Sequence, residues 1–168
     1  ALTNAQVKAL TTASVAAMTT DQVKALESAD IAVLSSNQVK ALTTSQVGAL
    51  SAAQVKALTT DALVGFSTDT VKTLSSTQLN ALPAASVAAL STAQVAALTT
   101  SQVVDLTAAL VSALSTSQVG GMTTAQVAAL TTASVVALTA TQVGSMSTSQ
   151  VAALTTSQVK ALETADIA

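Results

Sequence analysis

Residues 42–60 read LTTSQVGALSAAQVKALTT. Leu42, Leu50 and Leu58 recur every eight positions, each is followed by Thr or Ser, and Gln46 with Val47 and Gln54 with Val55 hold the same places between them. Carried outward, the octad L-[T/S]-[T/S]-x-Q-V-x-A runs without insertion or deletion from Leu2, in twenty full copies and a twenty-first one residue short. A unit this short cannot enclose an apolar face of its own, so the copies have to stack and share a core. Large apolar side chains at positions 1 and 6 are spaced five and then three apart, which fits neither strand alternation nor one continuous amphipathic helix. The pattern therefore breaks once per copy.

The hydroxyl residues locate the break. Ser or Thr at position 2 with Gln three residues on is a capping box, as in Thr43 with Gln46 and Thr155 with Gln158. Leu at position 1 and Val at position 6 then take the N′ and N4 places of a hydrophobic staple. Each octad is predicted to form one helix of about five to seven residues, giving an all-α solenoid of very short helices. A helical wheel at about 100° per residue gathers Val, the next Leu, Gln and the first hydroxyl inside and turns positions 4 and 7 outward. Lys8, Lys24, Lys40, Lys56, Lys72 and Lys160 all occupy position 7, in keeping with that outward arc. Gly65, Gly121 and Ser145 keep position 8 small, so that a neighbouring helix can come close.

Two longer rhythms bear on the number of octads per turn. The first five of those lysines recur every second octad, whereas Ala62, Ser86, Leu110 and Ser134 replace Gln every third. Position 5 is expected to face inward, where stacked neighbours matter, so the sequence predicts about three octads per turn. A ladder of glutamines bonded to their equivalents in adjacent turns is expected along that column. Pro83 takes position 2 once, a place compatible with a helix opening. Glu27 with Asp30, and Glu163 with Asp166, put carboxylates at two helix openings, each followed by Ile (Ile31 and Ile167). Two carboxylates without a third oxygen-rich segment make a poor calcium site, so they are read as capping groups.

Composition narrows the function. The chain has no His, Cys, Trp, Tyr or Arg, which removes the commonest general base, the thiol nucleophile, the soft metal ligands and the bidentate phosphate clamp. Six Lys against eight Asp and Glu give a net charge of −2, and Phe66 is the single aromatic residue, so nucleic acid is not an expected partner. Hydroxyl residues interrupt every octad, so no apolar run reaches the roughly 20 residues of a membrane span. Catalytic, cofactor-binding and metal-binding residues are all expected to be none, with no cofactor and no small-molecule substrate.

The octads resemble the Leu-Thr-rich short repeats of very large bacterial secreted or cell-surface proteins of the adhesin-like kind, through phrases such as ALSTAQVAALTT (89–100) and ALETADIA (161–168). That resemblance implies an extracellular rod, stalk or fibre, with self-association as its partner chemistry. The phrase LTTSQVVDL (98–106) also resembles the opening helix of repeats in transcription-activator-like effectors, without the DNA-reading loop or basic residues of that family. Residues 1–168 are read as one octapeptide-repeat solenoid, a piece of a longer array. The alternative reading is a binding module that presents ordered Thr rows to ice or a carbohydrate surface.

Overall fold

An extended pair of residues separates each short helix from the next. At the junction near Leu42, that residue has φ −63° and ψ 132°, and Thr43 has φ −72° and ψ 159°. Position 2 is the N-cap, its hydroxyl accepting the N–H of position 5, while the N–H of position 1 closes the previous helix on the Val carbonyl three residues back. The computed structural model describes residues 2–165, with side chains through Leu162. Among them are twenty helices and no strand, numbered in chain order from α1 (Asn4–Ala9) to α20 (Thr156–Ala165). Helix α8 (Thr60–Leu63) has four residues, most others have five or six, and α20 has ten. All thirteen glutamines form the expected capping box, their Oε1 accepting the N-cap N–H.

The chain divides into two units, Ala1–Leu90 and Ser91–Ala168. In the first, each helix packs on the third one along: α1 on α4 (Ser28–Ala32), α2 (Thr12–Ala17) on α5 (Ser36–Ala41), and so on to α8 on α11 (Ala84–Ala88). In the second, the same rule joins α12 (Thr92–Ala97) to α15 (Thr116–Gly120), α14 (Ala108–Ser112) to α17 (Thr132–Val136), and α17 to α20. Three octads per turn is therefore the periodicity of both units. The octads of Ala62, Ser86, Leu110 and Ser134 fall in register with it, since the first two belong to α8 and α11 and the last two to α14 and α17. The lysines, two octads apart, are exposed and spread around the turn.

The core is the Val and Leu columns, from Val7 and Val15 through Val47, Leu50, Phe66, Leu82, Val103 and Val127. Position 5 joins them from Asp30 onward. One expectation needs correcting: the first hydroxyl, placed inward by the wheel, is exposed at Ser35, Thr43, Ser51 and Thr59. An N-cap has extended dihedrals, so the 100° step of a helix does not apply to it.

Pro83 is the N-cap of α11, with φ −60°. Its octad carries Ser86 in place of Gln, so no Gln Oε1 waits there for the N–H that proline lacks. Position 8 is where helices come closest. A Cβ on Gly65 would lie 2.8 Å from the carbonyl oxygens of both Ala62 and Ser36, the latter on α5 one turn earlier. Gly144, at the outward position 7 of α18 (Ala140–Gly144), has nothing within 4 Å of where a Cβ of its own would lie. Gly65→Ala is expected to destabilise the chain by about 1–3 kcal/mol through forced separation of α5 and α8, and Gly144→Ala to stabilise it by about 0.5–1 kcal/mol. Thermal or urea unfolding followed by circular dichroism distinguishes the two.

Candidate functional site

Each octad that carries Gln leaves one polar group to be accounted for after its capping box closes, the Gln Nε2 amide. A buried amide without a partner is costly, and so are the last carbonyls of a helix. The fold pairs the two. Gln38 Nε2 donates to the carbonyls of Val7 and Leu10, both at 2.9 Å, at the C-terminal end of α1. Gln46 donates to Val15 at 3.0 Å and Met18 at 2.6 Å, and Gln78 to Val47 at 3.0 Å and Leu50 at 2.8 Å. The second unit repeats the arrangement, with Gln126 on Val95 and Leu98, Gln150 on Val119 and Met122, and Gln158 on Val127 and Leu130.

Every one of these glutamines reaches the Val carbonyl 31 residues back and the position-1 carbonyl 28 residues back. One side chain thus caps the start of its own helix through Oε1 and the end of a helix in the preceding turn through Nε2. Helix N- and C-termini of opposite partial charge are thereby held side by side. The glutamines named above bond to backbone and not to one another as the expected ladder required. Counting donors would have found this, because Oε1 is committed to the capping box and Nε2 must go elsewhere.

The irregular octads are read in the same terms. In Gln-free copies with Ser or Thr at position 5, as at Ser14, Thr70 and Ser134, that hydroxyl pairs with the N-cap hydroxyl, Thr131 Oγ1 donating to Ser134 Oγ at 2.9 Å. Asp30 is 3% exposed and its Oδ2 accepts the Glu27 N–H at 3.1 Å, which makes it a capping acceptor. The backbone at Glu163 is helical, within α20, and Asp166 and Ile167 lie outside the described residues. Among the described residues, no three His, Cys, Asp or Glu come together as metal ligands would. No helix among them is long and apolar enough to cross a membrane.

Among the core positions 1, 5 and 6, the exposed side chains of the described residues lie in the first and last turns. In α1, α2 and α3 (Thr20–Lys24), Gln6, Ser14 and Gln22 are exposed, and Leu2, Leu10, Met18 and Leu26 line an open concavity with Gln22 and Asp30. In α19 (Thr148–Ala152) and α20 the pattern inverts, with Gln150 and Gln158 buried and Val151 and Val159 exposed by 49% and 40%.

Short capped helices, stacked three to the turn and clasped by glutamine, define a helical solenoid repeat protein. Residues 1–26, 23–60, 76–108 and 132–164 match the ALTTAQ repeat family, and the chain belongs to that family. No curated protein and no solved structure matches it.

Replacing a buried clasp tests its contribution. Gln126→Glu keeps the local cap but sets a carboxylate against the carbonyls of Val95 and Leu98, and is expected to cost about 1–3 kcal/mol, whereas Gln22→Glu on the exposed face should change stability by less than about 0.5 kcal/mol. Burial raises the pKa of the new carboxyl, so its penalty should be full at neutral pH and fade as the pH falls toward about 4.3, the value of an unperturbed Glu. Denaturant titrations at several pH values measure both.

Proposed function

We propose that this chain is a structural module of an extracellular bacterial protein, a stiff rod or stalk segment with no catalytic role of its own. The observation that carries the reading is the clasp between turns. The same two hydrogen bonds recur at 28 and 31 residues in both units, so each added turn meets the preceding one in the same way. A domain built on such nearest-neighbour bonds gains stability with copy number and needs no separate core. Membership of the ALTTAQ repeat family supports a repeat module. The resemblance to adhesin-like repeats supports the cell surface as its location. Hydroxyls at position 2, which ordered Thr rows would need for ice or carbohydrate, are engaged as caps, so the spacer reading is preferred.

Deleting residues 106–129, three whole octads, should leave the octad phase intact, lower the melting temperature and shorten the particle in small-angle scattering. A particle whose longest dimension does not change with copy number would overturn the rod. Antibodies against the chain should label intact producing cells; labelling only after permeabilisation would overturn the surface location.

A further inference from the structure

Clasps are not spread evenly through the first unit. Where α5, α6 (Thr44–Ala49) and α7 (Ala52–Ala57) meet the turn before them, each supplies a glutamine: Gln38 to Val7 and Leu10, Gln46 to Val15 and Met18, and Gln54 to Val23 and Leu26. The next turn consists of α8, α9 (Thr68–Thr73) and α10 (Ser76–Ala81), which pack on α5, α6 and α7 in that order. Of these three only α10 clasps, through Gln78 on Val47 and Leu50. Position 5 is Ala62 in α8 and Thr70 in α9, both buried, and the Thr70 hydroxyl is paired with Ser67 Oγ at 2.9 Å. Among the described residues, therefore, no side chain donates to the carbonyls of Ile31 and Leu34 or of Val39 and Leu42, the places 31 and 28 residues back. In the second unit the gap at Ser134 is single, set between the clasping Gln126 and Gln142.

Apolar bulk stands where the two adjacent clasps are missing. Ile31 and Leu63 replace the usual Val, Phe66 replaces Leu, and all three are buried. Gly65 lets α8 draw in against the Ser36 carbonyl of α5. Contact of this kind holds two surfaces together without fixing their register, because apolar attraction has no direction and a hydrogen bond has one. We infer that the seat of α8 and α9 on α5 and α6 is the joint of the first unit, where it opens and yields before its other turns do. Two gaps in succession matter more than one alone: a helix between clasped neighbours is held by them, whereas α8 and α9 follow each other directly and lift as one cooperative piece. With four residues, α8 also has the fewest internal bonds with which to resist. In a rod segment the joint takes up bending while the clasped turn before it keeps its shape. That use rests on the structural-module reading; the opening itself does not.

Amide hydrogen exchange of the whole chain, read by mass spectrometry where the rate follows the opening equilibrium, tests the joint. Amides of α8 and α9 should exchange at least about tenfold faster than those of α6 and α7. Thr70→Gln stands three residues after the N-cap Ser67, so it writes a capping box and brings an amide nitrogen to the carbonyls of Val39 and Leu42. It should slow exchange in α8 and α9 together by about tenfold and leave the second unit as it was. Gln46→Thr makes the converse change, and α6 should then exchange about tenfold faster; this variant answers the question if Thr70→Gln does not fold. Equal protection of α6 through α9 in the wild-type chain would remove the joint. So would a Thr70→Gln chain with native circular dichroism and unaltered exchange, or a Gln46→Thr chain whose α6 stays as protected as before. None of these outcomes touches the rod reading, which the scattering experiment decides, and a failed rod would leave the exchange pattern standing.

Discussion

The side-chain amide of Gln at position 5 has two ends with different obligations, and the spacing of the turns follows from meeting both. Its oxygen is held by the N-cap N–H of its own octad. Its nitrogen, fixed in place by that bond, must find acceptors in the turn before. Glu would keep the first bond and lose the second, and a shorter side chain keeps the local cap alone. A helix of five or six residues has almost every backbone group within its terminal turns, so it is made mostly of the orphan donors and acceptors that long helices carry only at their ends. Such a helix cannot satisfy itself. The clasp supplies acceptors and donors at both ends at once, which is why an octad can be a stable unit of structure only inside an array.

Much of this was legible from the letters. The phase, the capping box and the helix openings follow from Ser, Thr, Gln, Leu and Val at fixed offsets. The choice of three octads per turn came from asking which rhythm lies inside. Ala62, Ser86, Leu110 and Ser134 are each buried to 5% exposure or less, whereas the lysines are exposed, so only the first series is constrained by what sits above and below it. A surface series such as Lys8, Lys24 and Lys40 can follow any period, because water accommodates all of them.

What the letters did not yield was the partner of the Gln nitrogen and the outward direction of the first hydroxyl. Both misreadings have one source. The wheel and the ladder treat the octad as uninterrupted helix, yet two of its eight residues are extended. That bend points Thr43 outward and sets the Gln46 amide against a junction of the preceding turn, where the carbonyls of Val15 and Met18 lie at the end of α2. The carboxylates Glu27 and Asp30 illustrate the same point, because a pair that could have been read as an ion site is a cap whose acceptor happens to be Asp.

The phrase ALESADIA at 25–32 recurs as ALETADIA at 161–168, and the described part of the second, through Ala165, is not folded like the first. At the first, the chain leaves the helix at Leu26 and begins α4 after Glu27. At the second, α20 runs on through Leu162 and Glu163 to Ala165. The local signals are the same, so the difference has to come from elsewhere. Leu26 offers its carbonyl to Gln54 Nε2 at 2.7 Å, and Val23 offers its own at 3.1 Å. With Glu in place of a Ser or Thr cap, the opening signal is weak, and a continuous helix satisfies the same backbone groups. At Leu26 the break is held by a later turn as well, whereas at Leu34, Leu42 and Leu58, where the octad three along carries no Gln, a Ser or Thr cap makes the break without that clasp. Octad boundaries in this fold are thus written by the local cap and, where a Gln stands three octads on, reinforced from the next turn.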